Sequence, residues 1–333
     1  MKAILDDMPV RGRILAAIVL LALAAAPFVA NRYLLSVLTL ILYLAYVGQA
    51  WNLVMGFCGQ LSLGHALYIG LGGYVAALFW LEFGVGPWIG VFAAMAVAMA
   101  FGAVIAWLGF RFGIEGVYFS LLTIAFAEFT RIGFDNMAFT GGAGGLFIPY
   151  EEKRLGEWWN LRGGQWMYYY IALLLAAGAV TLTAWLARSR LGYQWVAIRE
   201  DETAARALGI DAFAVKMKAM LISSAMTAVG GVFYAFYYNT LFPSQMFDMG
   251  RSIEIIMAPI VGGLGTVFGP VVGAFVLTPM GELLIAATER LGFNAPGTKA
   301  VFYGAMLIVI IMLRPAGLWP WLARMLGVWE RKP

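Results

Sequence analysis

Residues Arg188 to Lys218 read RSRLGYQWVAIREDETAARALGIDAFAVKMK, the longest polar run in a chain that is otherwise almost entirely apolar. The run carries six basic residues and separates two long groups of apolar segments. Loops rich in lysine and arginine stay on the cytoplasmic side of a membrane, so the loop over residues 188–216 is predicted to be cytoplasmic. Its side of the membrane then sets the topology of every segment before and after it.

Residues 201–209 of this loop are predicted to form a short helix. Asp201 and Glu202 stand at its start and Arg206 near its end, which matches the helix dipole. Alanines fill its body, and Gly209 can take the left-handed conformation that ends a helix. A helix of small residues in the cytoplasm suits a groove on another protein, although a solvated connecting loop fits these residues alone equally well.

The composition of the whole chain indicates an integral membrane protein. Of its 333 residues, 62% are hydrophobic and only 12% are charged, whereas soluble domains contain about a quarter charged residues. The apolar residues occur in long runs, which favours helices over the alternating strands of an outer-membrane barrel. The net charge of +4 lies mostly in the predicted cytoplasmic loops and tails and gives no sign of nucleic-acid binding.

Ten apolar segments have a length that suits a transmembrane helix. They fall at residues 14–30, 33–55, 63–81, 86–110, 116–134, 166–187, 217–239, 252–268, 270–288 and 300–314. The segments at 116–134 and 252–268 carry charges, so that half-helices there, and eight spans in all, are the alternative. Ten spans place every basic cluster and both termini in the cytoplasm. We therefore predict an all-α bundle of about ten transmembrane helices, in one domain over residues 1–333.

Residues 135–165 are too polar to span and are predicted to form an extracytoplasmic loop. Trp158 and Trp159 in this loop suit the membrane interface. The run from Thr140 to Gly145 suits a mobile surface that faces a partner.

Two glycine-rich stretches fall in opposite halves of the chain, from Gly56 to Tyr74 and from Val261 to Ala274. Dense glycine either lets helices approach closely or breaks a helix so that its backbone lines a cavity. Close packing is the commoner role for any one of these residues, and a packing role is favoured for His65. Paired glycine-interrupted helices are nevertheless typical of transporters with inverted repeats.

Several charged residues fall inside predicted spans, where charge is costly. Glu128 and Arg131 are spaced to pair on one helical face, and Asp135 follows one turn later. Local pairing makes a structural role as compatible with the sequence as a transport role. Glu254 and Glu282 have no obvious partner in the sequence and are expected to face water or another helix.

Motifs of catalysis are missing from the sequence. There is no Gly-Lys dipeptide and hence no P-loop, and there is no nucleophile elbow, paired-histidine metal site or dinucleotide fingerprint. The single cysteine, Cys58, excludes an internal disulfide or a cysteine metal cluster. The chain is therefore predicted not to be an enzyme and to hold no metal or cofactor of its own.

Five motifs, in the expected order, resemble the permease subunits of branched-chain amino acid ABC importers, and among them the M-type subunit of the high-affinity leucine/isoleucine/valine system. They are GFCGQLSLGHALYIGLGGY from Gly56, GVYFSLLTIAFAEFTR from Gly116, TGGAGGL from Thr140, AIREDETAARALGI from Ala197 and VGGLGTVFGPVVGA from Val261. The resemblance covers nearly the whole chain beyond the first predicted span.

The resemblance implies a subunit of the bacterial inner membrane that works with several partners. These are two ATP-binding cassette ATPases that hold ATP and Mg²⁺, a second and different permease chain, and a periplasmic or lipid-anchored binding protein. The 201–209 helix would be the coupling helix, although Thr203 interrupts the family's pattern. The residues implied in ATPase coupling are Arg199, Asp201, Glu202, Ala204, Ala205, Arg206 and Gly209.

The translocation path is predicted to follow the two glycine-rich stretches and the middle of the fifth span. Its residues are Gly59, Gln60, Ser62, His65, Gly72, Gly73, Thr123, Glu128, Gly262, Gly263, Gly265 and Gly269. One alternative is a permease of the same architecture for urea or short amides. The other is an ion-coupled secondary transporter that uses Glu128, Asp135 or Glu254 and needs no ATPase.

Overall fold

The computed structural model describes residues 10–149, 158–290 and 297–328. Within these ranges the chain is helical apart from its turns and the two-residue strands β1 (Leu146–Phe147) and β2 (Thr240–Leu241). The helices are α1 (Val10–Val29), α2 (Arg32–Asn52), α3 (His65–Phe83), α4 (Pro87–Arg111), α5 (Val117–Asn136), α6 (Gln165–Ala187), α7 (Arg190–Glu200), α8 (Glu202–Ala207), α9 (Ala212–Tyr238), α10 (Pro243–Met246), α11 (Met249–Gly262), α12 (Gly269–Arg290), α13 (Thr298–Leu313) and α14 (Leu318–Met325). The predicted all-α class is confirmed for this part of the chain.

Six of the described helices are long and apolar enough to cross a membrane: α2 with its extension to Phe57, α3, α4, α5, α6 and α9. A seventh candidate is the pair α13 and α14, which is bent by 54° at the break between the two helices. Shorter apolar stretches lie in α1 and α12, at Ile14–Val29 and Gly269–Ile285. Each predicted span thus overlaps a helix, and six or seven of these helices have the length and apolarity of a span.

The predicted span at 252–268 is too long. Its helix, α11, ends at Gly262, because Gly263 (φ +128°) and Gly265 (φ +69°) take backbone conformations that an α-helix does not contain. The charged segment at 116–134, by contrast, is one continuous helix, α5. Arg331, Lys332 and the two chain ends, as well as residues 150–157 of the predicted outer loop, lie outside the described residues.

The helices group into two compact units, which interleave along the sequence. The first comprises residues 1–49, 165–187 and 257–333, and the second comprises 50–164 and 188–256. The core of the first unit joins α2, α11, α12 and α13 through buried residues such as Ile41, Val261, Ala274 and Tyr303. In the second unit α3 packs on α9, and a Cβ at Gly72 or Gly231 would overlap a backbone carbonyl of the facing helix.

The predicted extracytoplasmic loop contains short structured elements within its described part. Residues Ala138–Thr140 and Gly142–Gly144 form 3₁₀ turns, and the buried Thr140 hydroxyl donates to Phe134 O at 2.7 Å. Strand β1 then pairs antiparallel with β2, with Leu146 opposite Leu241. The run from Thr140 to Gly145 therefore turns the chain back towards α9.

Candidate functional site

The predicted short helix is present as α8, and the sequence around it explains its limits. Asp201 is its N-cap, and Gly209 lies just beyond its end with φ +84°. The helices α7, α8 and α9 all begin in the same way, with a side-chain oxygen that accepts from the backbone N–H three residues on: Ser189 from Gly192, Asp201 from Ala204 and Asp211 from Ala214. Three successive caps make this loop a set of defined helices.

The residues of α8 divide into an anchored side and an exposed side. Ala205 is buried, and the Glu202 carboxylate forms ion pairs with Lys216 and Arg206. Lys216 is itself only 4% exposed and lies 3.8 Å from Glu115, in the turn that connects α4 to α5. Glu202 therefore holds α8 against its own chain and is directed away from the exposed surface. This contact could not be predicted, because the burial of Lys216 is not visible in the sequence.

The exposed side of α8 is partly apolar. Ala204 and Ala207 are exposed there, and the Leu208 side chain that follows them is 82% exposed. A large apolar side chain at the tip of a polar loop suits contact with another protein. Arg206 is exposed as well, and Gly209 has open space around it, since a Cβ there would meet no heavy atom within 4 Å.

The Arg199 side chain, which is 35% exposed, contacts the helix break at the first glycine-rich stretch. Its Nη1 donates to Gly56 O at 2.6 Å, while its Nη2 pairs with Glu200 at 2.7 Å. Gly56 lies in a π-helical extension of α2, Leu53–Phe57. The resemblance implies a role for Arg199 in ATPase coupling, and within this chain Arg199 contacts Glu200 and the backbone of this extension of α2.

Beyond this extension the chain runs without helix over residues 58–64, which we call the linker. Its backbone groups bond to side chains: Leu61 O accepts from Ser120 Oγ at 2.9 Å, Ser62 O accepts from Trp51 Nε1 at 2.7 Å, and Leu63 N donates to Thr123 Oγ1 at 3.0 Å. Irregular backbone is tolerated at membrane depth only when such partners replace the missing helix bonds. Gln60 donates to Cys58 O within the linker, at 3.3 Å.

His65 follows the linker and is completely buried. The Ser223 hydroxyl donates to Ala50 O at 2.7 Å, so it accepts from His65 Nε2 at 2.9 Å. Nδ1 is then the acceptor for Ser62 Oγ at 3.1 Å, which assigns the neutral Nε2–H tautomer. Both ring nitrogens are bonded, as expected of a packing residue. Ser223 was missed, because nothing in the sequence distinguishes it from the other hydroxyl residues of α9 or links it to a histidine 158 residues away.

Glycines of the first stretch lie in close contacts. A Cβ at Gly72 would overlap Ala228 O, and one at Gly73 would lie 2.8 Å from Met246 Cε. Gly59 has φ +73° and faces Arg199. The structure thus shows helix packing at these positions, and their place along a translocation path stays a prediction.

The second stretch forms a tight turn between α11 and α12. A Cβ at Gly262 would overlap Gly269 O, and one at Gly269 would overlap Gly263 O. Thr266 Oγ1 donates to Gly263 O at 2.7 Å and accepts from Gly269 N at 3.1 Å, which closes the turn. Helix α12 then begins at Gly269, one residue before the predicted span 270–288.

The charged residues of α5 form the predicted ladder. Arg131 bonds both Glu128 oxygens, and its Nη1 lies 2.7 Å from Asp135 Oδ2. Glu128 is 51% exposed and Arg131 28% exposed in this chain. In the other unit Glu282 accepts from the Tyr33 hydroxyl at 3.1 Å, so that it faces another helix as expected.

These features define a polytopic helical membrane protein of the permease class. Its polar loop contains a capped helix with a partly apolar surface, and two of its helices are interrupted. The model of the family described as branched-chain amino acid transport system / permease component matches residues 33–311. The chain belongs to this family.

Individual relatives agree with the family match. The chain is 27% identical over 337 residues to the permease protein LivM of the high-affinity branched-chain amino acid transport system of Escherichia coli (strain K12), covering 95% of this chain and 77% of the relative. The LivM protein of Salmonella typhimurium gives the same identity and coverage. BraD of Pseudomonas aeruginosa, named a permease of the same kind of system, is 28% identical over 156 residues, 46% of this chain and 47% of its own. No solved structure gives a significant match.

Proposed function

We propose that this chain is a permease subunit of an ATP-driven, binding-protein-dependent importer of branched-chain aliphatic amino acids. The single observation that carries the proposal is the family match over residues 33–311. The substrate class follows the names of the LivM and BraD relatives. Urea or a short amide is the competing substrate class for the same architecture.

The proposed topology has ten spans in the bacterial inner membrane, with residues 188–216 and both termini in the cytoplasm. Beyond the six long helices and the bent pair, the remaining three spans would be α1 and α12, which contain the shorter apolar stretches, and the 14-residue helix α11. The basic residues of the 188–216 loop support its cytoplasmic side. Residues 135–165 then face the outside, where a binding protein delivers the substrate.

The coupling helix is α8, and its partners are two ATPase subunits that hold ATP and Mg²⁺. The exposed residues Ala204, Ala207 and Leu208 offer a small apolar knob, which suits a groove on an ATPase. Glu202 and Ala205 hold the knob on the permease. ATP binding drives transport only if it favours one permease conformation over the other. The position of α8 must therefore differ between the two conformations.

The proposed path, shared with a second and different permease chain, follows the two interruptions of helix: the linker and the turn at residues 263–268. Non-helical backbone within a membrane protein lies buried in protein or along a water-filled cavity, and transporter sites use both. The Glu128–Arg131 pair belongs to this path, because charged side chains exposed from the middle of a span are too costly against lipid.

Affinity purification of the tagged chain from its native membrane tests the assembly, and reconstitution with leucine, isoleucine or valine tests the substrate. We expect two ATPases and a second permease to copurify, and uptake to require ATP. The variant Gly209→Val should keep the complex but lower uptake per ATP, because valine is strained at φ +84° and distorts the end of α8. Gly327→Val is the matched control, since Gly327 (φ +62°) also has no heavy atom near its Cβ position.

Three outcomes would overturn parts of this proposal. Normal uptake by Gly209→Val excludes α8 as the coupling helix. A chain that purifies alone and transports without ATP is an ion-coupled transporter, and Glu128 becomes its site. A complex that takes up urea in preference to leucine has the competing substrate class.

A further inference from the structure

We propose that Arg199 is a positioning residue that transmits movement of the coupling helix to the interrupted helix α2, and through the linker to α5. This inference rests on the proposed function, and it deepens it by naming the route from α8 to the path. It gives Arg199 a role within this chain, whereas the family resemblance implies a role in ATPase coupling.

The first step of the route joins α7 to α2. Arg199 stands in the last turn of α7, two residues before the Asp201 cap of α8. Its guanidinium donates to Gly56 O at 2.6 Å, and Glu200 orients it from the other side. A hydrogen bond from a charged donor is shorter and stronger than a neutral one. Displacement of α7 and α8 therefore pulls on the Gly56 carbonyl or breaks this bond.

The second step lies in the backbone that Arg199 holds. Gly56 belongs to the π-helical extension Leu53–Phe57, and such π-helical turns inside α-helices are often functional sites. One turn on, Gly59 has φ +73°, and a Cβ there would lie 2.9 Å from Arg199 Cγ and 3.3 Å from Arg199 Cα. The backbone of α7 thus rests against the helix break itself, and only glycine satisfies both the conformation and the contact.

The third step carries the movement across the linker to α5. Two hydroxyls of α5 hold the linker backbone: Ser120 donates to Leu61 O, and Thr123 accepts from Leu63 N. The same helix carries Glu128 and Arg131 about one and two turns further on, in the proposed path. Arg199, the π-helical turn, the linker and these hydroxyls form one contiguous chain of contacts. Coupling between distant sites travels through such chains where an element has two arrangements.

The test uses the whole complex in proteoliposomes, with both ATP hydrolysis and leucine uptake measured. The variant is Arg199→Gln, and the matched control is Arg190→Gln, which removes the same charge from the exposed start of the same helix. We expect Arg199→Gln to retain its ATPases and to hydrolyse ATP, but to lower uptake per ATP by about fivefold or more. Arg190→Gln should leave that ratio unchanged. A purely structural defect would lower hydrolysis, uptake and complex yield together.

A second variant reaches the same contact from the membrane side. Gly59→Ala places a Cβ against Arg199 without altering the exposed surface, and Gly84→Ala is its control, because Gly84 (φ +63°) has open space instead. We expect Gly59→Ala to lower uptake per ATP as Arg199→Gln does, and the double variant to be no worse than either single one. Gly84→Ala should have little effect on this ratio.

The outcomes separate this inference from the proposed function. If the wild-type complex shows no ATP-dependent uptake of leucine, isoleucine or valine, the proposed function fails and the inference fails with it. If the wild-type complex transports and Arg199→Gln loses its ATPases, Arg199 is an ATPase contact and only the inference is wrong. Normal uptake per ATP in Arg199→Gln, or additive effects in the double variant, overturns it equally.

Discussion

The two glycine-rich stretches have similar compositions but interrupt their helices in different ways. In the first, the linker runs between the π-helical turn and α3, and side chains from other helices hold it: Ser120 and Thr123 from α5, and Trp51 from α2. In the second, the close contacts are mainly between backbones, whereas in the linker only Gly64 packs in this way, against Thr123 O. A Cβ at Gly262 or Gly273 would overlap a carbonyl oxygen, and the only polar side chain in the turn is that of Thr266.

This difference shows that glycine density does not by itself specify a role. The polar residues between the glycines do, because they decide whether a break is held by hydrogen bonds or by contact between backbones. Each hydrogen bond contributes about 1 kcal/mol and can be exchanged for another. A backbone contact admits no added atom and no exchange. We therefore expect the linker to be adjustable and the Gly262–Gly273 turn to be a fixed joint.

The largest effect is expected at the fixed joint. In Gly273→Ala the new methyl group would overlap Ala258 O, so α11 and α12 must separate. We expect destabilisation of about 3 kcal/mol, measured as a lower melting temperature in detergent. Gly304→Ala is the control in the same unit, because Gly304 lies within α13 and a Cβ there meets no heavy atom within 4 Å. A similar melting temperature for both variants would show that the turn can accommodate a methyl group. The turn would then be no more fixed than the linker.

A smaller loss is expected from the buried histidine beside the linker. His65→Ala removes both bonds of the ring and leaves Ser62 and Ser223 without this partner in a buried site. We expect a cost of about 2 kcal/mol, since buried groups that lose a partner keep their desolvation penalty. The double variant His65→Ala/Ser223→Ala should be less destabilised than the sum of the single ones, by double-mutant cycle. Additive losses would mean that the two side chains do not interact.

Much of the fold could be predicted from the sequence, because the bilayer requires long apolar helices and the chain has them. The predicted span 86–110 and helix α4, Pro87–Arg111, differ by one residue at each end. The short helix α8 was also predictable, since Asp201 and Gly209 act through local backbone geometry. The end of α11 at Gly262 could not be predicted, because the sequence does not distinguish a glycine with positive φ from a glycine that packs against another helix.

Most contacts within the candidate site could not be predicted from the sequence. Arg199 meets Gly56 across 143 residues, and His65 meets Ser223 across 158. No periodicity in the sequence links such pairs. A serine in an apolar helix predicts that its hydroxyl is hydrogen-bonded, but does not identify the partner. Glu202 shows the same limit, because its ion pair with the buried Lys216 cannot be inferred from its neighbours in the sequence.

A loss of about 1 kcal/mol is expected when one bond to the linker is removed. Thr123→Val keeps the side-chain shape but leaves Leu63 N without its hydroxyl acceptor. Thr181→Val is the control. Within the described residues, the exposed Thr181 hydroxyl bonds only to Gly178 O of its own helix. Thermal melting should rank Thr123→Val between Thr181→Val and His65→Ala. A Thr123→Val loss as large as that of Gly273→Ala would mean that the linker is as rigid as the fixed joint.

The smallest expected effect is a change in the rate at which thiol reagents label a cysteine, with no loss of stability. Burial raises the pKa of the Cys58 thiol to about 12, and the thiolate is the reactive form, so this linker residue should be almost inert to thiol reagents at pH 8 in the resting protein. If the linker adjusts during transport, Cys58 is transiently exposed, and its labelling should speed up when the complex hydrolyses ATP. A cysteine placed in the other break, Thr266→Cys in a Cys58→Ser background, should label at a rate that ATP does not change. Equal acceleration at both positions would mean that both breaks move, while no acceleration at Cys58 would leave the linker as static as the turn.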